Sequence, residues 1–126
     1  MRLKRARLKM CSHRQAIPRK DNEGNSYLEY GLPSTFEAEV WPAGGKIQSE
    51  MYGQRVGSIK NVRINGTYET LLVSEGGRVY EVYRFADMDV REGDGVGIHV
   101  PGNHDPDYKI IAIRPYRFLT LEVEKI

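Results

Sequence analysis

Near the C-terminus, apolar residues occupy every second position in two short segments. They are Val96, Ile98 and Val100 in the first segment and Leu119, Leu121 and Val123 in the second. A period of two is typical of a strand that has one face against a core. With the apolar stretch at residues 108–113 between them, these segments predict three consecutive strands of a small β-barrel.

Four earlier segments give a similar strand signal: residues 36–42, 59–64, 67–73 and 79–85. Asn65-Gly66 is a strong hairpin dipeptide and predicts a turn between the second and third of these strands. Residues 74–77, with two glycines, predict the next turn. Short strands at regular intervals predict an all-β fold, a small barrel or sandwich of short antiparallel strands.

Residues 43–58 break the alternation. Gly44, Gly45, Gly53 and Gly57 surround several apolar residues, which would be unusual in a simple linker. A connection of about 16 residues is long for a β-protein, and such loops tend to be functional. The pattern predicts a long Gly-rich loop after the first clear strand, with room for a short helical turn because Ile47 and Met51 have i,i+4 spacing.

Residues 1–17 fit neither the strand period nor the helix period, residues 19–26 are typical of a polar loop, and residues 31–34 carry a turn signal. We therefore predict a basic N-terminal arm and loop at residues 1–33 and a single β-barrel domain at residues 34–126. Residues 1–20 contain eight of the 19 basic residues and no acid, so residues 21–126 hold 11 basic and 17 acidic residues, a formal −6. A basic arm predicts a polyanionic partner, either DNA or an acidic protein surface, although a solvated terminus is the alternative.

The 126 residues suit one domain. No apolar run reaches the roughly 18–20 residues of a membrane helix, and no secretory signal follows the basic start. The lone Cys11 allows no internal disulfide, which fits the cytoplasm. There is no nucleophile elbow, phosphate-binding loop or Cys/His pair in catalytic order, so we expect no enzyme activity, catalytic residue or cofactor.

Three polar clusters could be taken for metal sites. In residues 104–107 an imidazole stands beside two carboxylates, but the prolines and Gly102-Asn103 are typical of a turn. Cys11-Ser12-His13 offers too few ligands for zinc. Residues 87–95 resemble a calcium loop without its register, and predict turns with a solvated acidic face. We therefore expect no metal site.

Aromatic residues suggest contacts with other molecules. Trp41 lies on the face of its strand opposite Phe36 and Val40, which predicts either an interface position or local cover by the N-terminal segment. Tyrosines can stack on unpaired bases, but Tyr80 and Tyr83 have opposite parity in one strand and cannot form a single platform. A nucleic-acid-binding barrel is therefore the weaker alternative.

A broader resemblance rests on residues 35–46 (TFEAEVWPAGGK), the Gly-rich segment after them, and the segments 108–113 and 118–121. Over residues 34–126 the chain resembles the head-closure, or head–tail joining, proteins of tailed phages and prophages. The resemblance implies a small barrel that forms a cyclic, often sixfold, ring under the portal. That ring closes the DNA channel after packaging and provides the platform for the tail, at the virion head–tail junction.

The resemblance also implies partners and site residues. The partners are other copies of the chain, portal or adaptor proteins, tail proteins and packaged double-stranded DNA, with no membrane involved. The long loop would form the channel stopper and ring interface through Gly44, Gly45, Lys46, Ile47, Met51, Tyr52, Gly53, Arg55, Val56 and Gly57. The basic arm would contact a polyanion or the portal or adaptor ring through Arg2, Lys4, Arg5, Arg7 and Lys9. A tail-completion protein is a further alternative.

Overall fold

Strands dominate the part of the chain that the computed structural model describes, residues 7–85 and 87–126. The elements are β1 (Lys9–Arg14), β2 (Ala16–Lys20), β3 (Ser26–Tyr30), β4 (Ser34–Pro42), α1 (Gly45–Tyr52), a 3-10 helix (Gly53–Ser58), β5 (Ile59–Ile64), β6 (Glu69–Glu75), β7 (Arg78–Phe85), β8 (Met88–Val90), β9 (Gly95–Gly97), β10 (Tyr108–Pro115) and β11 (Leu119–Lys125). Neither described helix is long and apolar enough to cross a membrane.

Six strands close into an antiparallel barrel in the order β1-β4-β5-β11-β10-β9. Two small sheets stand outside it, the hairpin β2–β3 and the three-stranded sheet β6–β7–β8. The predicted all-β fold is therefore confirmed, and it takes the form of a closed barrel.

The core of the barrel comes from the alternation seen in the sequence. Leu119, Leu121 and Val123 of β11 are at most 1% exposed. Burying each such side chain contributes about 1.5–3 kcal/mol. However, Thr120 and Glu122 on the opposite face of β11 are also buried, so the outer face of this strand is covered as well.

The barrel begins well before residue 34. Strand β1 lies between β4 and β9, and Cys11 belongs to the core. Cys11, Ser12 and His13 are all buried. A strand covered on both faces shows no alternation of polar and apolar residues, which is why residues 9–14 gave no strand signal.

The predicted hairpin at Asn65-Gly66 is wrong. Strand β5 pairs with β4 on one side and β11 on the other, so neither edge is free for a returning strand. The chain instead leaves the barrel, and β6 pairs with β7. The predicted turn at residues 74–77 is confirmed: Glu75 pairs with Arg78 around Gly76-Gly77, whose φ angles of 57° and 79° suit the tight hairpin turn.

The predicted strand at residues 96–100 is only partly present, because β9 ends at Gly97. The Asp107 carboxylate then accepts hydrogen bonds from the N–H groups of Ile98 and His99, at 2.9 and 3.0 Å. These backbone groups are satisfied by a side chain instead of a neighbouring strand, so the chain bends away from the sheet.

Candidate assembly surface on the helical segment

The Gly-rich segment is a helical segment and not an extended loop. Helix α1 covers Gly45–Tyr52, and the 3-10 helix follows directly. Gly45 is the first residue of α1 and Gly53 follows its last residue. Their φ angles of 78° and 58° are ones that glycine adopts most easily. The Gly44 N–H donates to the Gln48 side chain at 3.0 Å. The helical turn inferred from i,i+4 spacing is thus confirmed, in a longer form.

Polar side chains attach α1 to the barrel. Gln48 Nε2 donates to Asn61 Oδ1 at 2.7 Å and to Glu122 Oε2 at 2.8 Å. The Tyr52 hydroxyl donates to Glu122 Oε1 at 2.9 Å. Arg114 Nη2 donates to the same carboxylate oxygen at 3.0 Å. We call these five residues the Glu122 network.

The carboxylate at the centre of this network is removed from solvent. Glu122 is 3% exposed, and a buried charge is costly unless it is paired and hydrogen-bonded. Arg114 supplies the opposite charge, while Gln48 and Tyr52 supply further donors. Burial and the hydrogen bond to Glu122 raise the pKa of Tyr52 to about 12. The network therefore requires a protonated Tyr52 hydroxyl that donates to the Glu122 side chain.

The 3-10 helix has its own attachment to β11. Arg55 forms two hydrogen bonds with Glu124, Nε to Oε2 at 2.8 Å and Nη2 to Oε1 at 2.7 Å. These bonds hold the pKa of Glu124 below its usual range. Because the Arg55 side chain is largely exposed, solvent screens the pair and it contributes little to stability.

About 100° around the helix from Gln48 and Tyr52, α1 carries two apolar side chains that are largely exposed, although Met51 Sδ also lies 3.7 Å from Arg114 Nη2. Ile47 is 75% exposed and Met51 is 53% exposed. Their i,i+4 spacing places them on one face, which we call the α1 apolar face. A surface helix normally turns apolar residues inward and polar residues outward. In α1 this arrangement is reversed, and exposed neighbouring apolar side chains are typical of contact surfaces.

Only part of the predicted stopper set points outward. Tyr52 and Val56 are half-buried, and Tyr52 belongs to the Glu122 network. Gly44, Gly45, Lys46, Gly53, Arg55 and Gly57 are exposed. The sequence analysis missed the barrel side of the attachment, which consists of Asn61, Arg114, Glu122 and Glu124. The only available signal was the i,i+4 spacing of Gln48 and Tyr52.

Trp41 is half-buried beside residues of its own chain. The Arg63 guanidinium lies over the indole ring, with Cζ 4.9 Å from the ring centroid. Arg7 lines the same small pocket as Trp41. Arg7 and Lys9 are exposed, whereas Arg2, Lys4 and Arg5 lie outside the described residues.

The polar clusters serve the backbone. Within residues 7–85 and 87–126, no group of three or more His, Cys, Asp or Glu side chains could hold a metal ion. Asp107 accepts backbone N–H groups, as described above. The predicted solvated acidic face of residues 87–95 is wrong at Asp94, which is 1% exposed and lies 2.7 Å from His13 Nε2.

The tyrosines of β7 form no base-stacking platform. Tyr83 is 4% exposed and packs edge-on against Tyr68. Tyr80 is half-buried on the other face of the strand. Since a stacked base needs an exposed ring face, this geometry gives no support to single-strand binding through β7.

No family model matches the chain, and comparison with curated proteins and with solved structures finds no similar protein.

Proposed function

We propose that this protein is a structural subunit of a phage or prophage head–tail connector, which closes the portal channel after DNA packaging and provides the platform for tail attachment. One observation carries the proposal. Helix α1 presents Ile47 and Met51 to solvent while Gln48 and Tyr52 hydrogen-bond it to Glu122 of the barrel. The resemblance of residues 34–126 to head-closure proteins supports the same role.

The geometry suits closure by several copies around one axis. In a cyclic ring, the same face of every copy meets the axis. Apolar side chains that are a liability on a single copy would then be buried against their equivalents. A constriction lined by Ile47 and Met51 offers no hydrogen bonds to DNA phosphates or water, so it would resist the passage of both.

The polar attachment of α1 suits a gate that must open. Hydrogen bonds to Gln48 and Tyr52 can be exchanged for bonds to water, so the helix can leave the barrel without tearing apart an apolar core. Segments with few buried apolar contacts open at low free energy. Portal or adaptor proteins above the ring and tail proteins below it would be the partners that bias the gate.

The direct test replaces the apolar face and changes none of the five residues of the Glu122 network, and the one contact with the network that it removes is that of Met51 Sδ with Arg114 Nη2 at 3.7 Å. We expect Ile47→Ser/Met51→Ser particles to assemble rings but to release their DNA, because the contact across the axis is lost. The matched control is Lys46→Ser/Glu50→Ser, which changes two exposed polar residues of the same helix. The proposal fails if the apolar-face variant forms rings and its heads retain DNA as the wild type does.

The place in assembly is tested by electron microscopy of particles from cells that lack this chain. Tailless heads without DNA, beside free complete tails, are the expected result. DNA-filled heads beside defective tails would favour the tail-completion alternative. Normal joined particles would remove the protein from the junction.

A further inference from the structure

A second surface feature lies away from α1. An open cleft of about 950 Å³ separates the barrel from the β6–β7–β8 sheet. Its apolar lining includes Met10, which is 59% exposed, together with Tyr68 and Phe85. The centroids of these two rings are 5.9 Å apart. The cleft therefore offers an apolar floor that is open to solvent.

The charges around the cleft are predominantly negative. Glu37, Glu69 and Asp87 line it, and none of the three forms an ion pair with another residue in the described ranges. Among the described residues, Arg84 is the one cation that lines the cleft, and it stands opposite Glu69 in the pairing of β6 with β7. Arg84 is already held by Asp89, with Nε to Oδ1 at 2.7 Å and Nη2 to Oδ2 at 3.0 Å. We call this feature the acidic cleft.

Such a cleft fits an extended segment that carries both cations and apolar side chains. Residues 1–6, Met-Arg-Leu-Lys-Arg-Ala, have this composition. Their three cations match the three carboxylates that form no ion pair within residues 7–85 and 87–126, and Met1 and Leu3 match the apolar floor. Complementary charge sets both the specificity and the register of such a contact.

The path of the chain favours a cleft on another copy. Strand β1 runs antiparallel to β4, with Met10 opposite Glu37 and Lys9 opposite Ala38. Going back toward the N-terminus, the chain therefore moves along β4 away from the cleft, and Arg7 lies in the pocket of Trp41. Six residues span at most about 20 Å, and they would have to reverse direction to enter their own cleft.

We infer that residues 1–6 of one copy bind in the acidic cleft of the neighbouring copy. The contact joins two different surfaces, so it is a head-to-tail interface that can continue around a ring. This inference goes beyond the proposed function, because it concerns how copies join and not what the ring does. It also assigns the basic arm a protein partner in place of DNA.

Disulfide trapping between two distinguishable copies tests the inference. Cells co-express a tagged Arg5→Cys chain and an untagged Glu69→Cys chain, and the extracted assemblies are oxidised. We expect a tagged–untagged covalent dimer. The control places the second cysteine at Glu23, an exposed acid in the β2–β3 turn. The native Cys11 is buried in both chains and serves as an internal background.

Two outcomes would overturn the inference. They are equal dimer yields from the Glu69 and Glu23 positions, or no dimer at all. Intact rings without the dimer would refute this contact and leave the proposed function standing. If the covalent dimer forms but the rings do not close the DNA channel, the contact is supported and the proposed function is refuted.

Charge reversal gives an independent measurement on the full chain. In Glu37→Lys/Glu69→Lys/Asp87→Lys, attraction to the arm becomes repulsion, so we expect self-association to weaken by about tenfold or more. Adding Arg2→Glu/Lys4→Glu/Arg5→Glu should restore it. Glu23→Lys should leave association unchanged. If the arm charges instead set DNA affinity with a steep salt dependence, and reversal in the cleft has no effect, the arm binds DNA and the inference is wrong.

Discussion

The buried pair of His13 and Asp94 makes a sharp prediction about stability. The Asp94 carboxylate accepts three hydrogen bonds, from His13 Nε2 at 2.7 Å, the Ala16 N–H at 3.0 Å and the Arg91 N–H at 3.1 Å. These bonds join β1 and the start of β2 to the turn before β9. The substitution Asp94→Ala removes both carboxylate oxygens that accept these three hydrogen bonds and leaves the three donors in place.

The loss of stability in Asp94→Ala follows from the burial of its hydrogen-bond partner His13. His13 is 4% exposed and loses its partner in a place that water hardly reaches. A buried donor left unsatisfied costs about 1–3 kcal/mol, and the two backbone donors are only partly buried. Together they predict a loss of about 4 kcal/mol in the free energy of unfolding, within the 3–5 kcal/mol of a broken buried pair. Small domains have about 5–15 kcal/mol in total, so the variant should still fold.

Urea unfolding provides the assay, followed by the fluorescence of Trp41, the only tryptophan. With a slope of about 2 kcal/mol per molar urea, the midpoint should fall by about 2 M. Asp94→Asn keeps the shape and one acceptor, so it should lose about half as much. Asp105→Ala, at an exposed aspartate, is the control. An Asp94→Ala midpoint equal to the wild-type midpoint would refute the reasoning.

Three further predictions concern other buried groups. Burial raises the pKa of Cys11 to about 11, so at pH 8 it should react with thiol reagents only as the protein unfolds; rapid reaction of the folded protein would contradict this. The pKa of Tyr52 is raised to about 12 in the folded state. The stability that its hydrogen bond to Glu122 contributes should therefore be complete below pH 10 and be lost as the pH rises toward 12. Tyr52→Phe should remove that part of the pH dependence of the free energy of unfolding. A Cβ at Gly95 would overlap the Pro106 ring, so Gly95→Ala should lower the free energy of unfolding by about 1–3 kcal/mol in urea.

The glycine prediction has a matched control in the same chain. Gly44 has an extended backbone with φ of −179°, and a Cβ added there meets no atom within 4 Å. Gly44→Ala should therefore leave the urea midpoint unchanged. Equal losses for Gly44→Ala and Gly95→Ala would show that backbone freedom, and not the contact with Pro106, sets the cost.

Local pattern predicted those elements whose two faces differ. Strand β11 was found from its alternation because one face lies in the core, and the Gly76-Gly77 turn was found because its backbone conformation depends on those residues alone. Strand β1 escaped because Ser12 and His13 are buried along with Cys11. The barrel was therefore predicted correctly as a class, but with one strand missing.

The errors in the prediction from sequence are caused by contacts between residues that are far apart along the chain. Asn65-Gly66 carries a hairpin signal, but β4 and β11 already occupy both edges of β5, and a local signal contains no information about them. Glu122 occupies an outward position of β11, and its burial depends on contacts with side chains that are distant in sequence, such as Gln48, 74 residues away. The exposure of the α1 apolar face could not be predicted either, since Ile47 and Met51 would fit an inward face equally well.

The reversed orientation of α1 has a thermodynamic consequence. Unfolding of the barrel exposes apolar surface and so has a large positive heat-capacity change, which curves its stability with temperature. Release of α1 exposes mainly the polar groups of Gln48, Tyr52 and Glu122, and hydration of polar surface lowers the heat capacity. The two processes should therefore respond differently to warming. The opening of α1 would follow temperature almost linearly, with its enthalpy set by hydrogen bonds, over a range in which the stability of the barrel passes through its maximum.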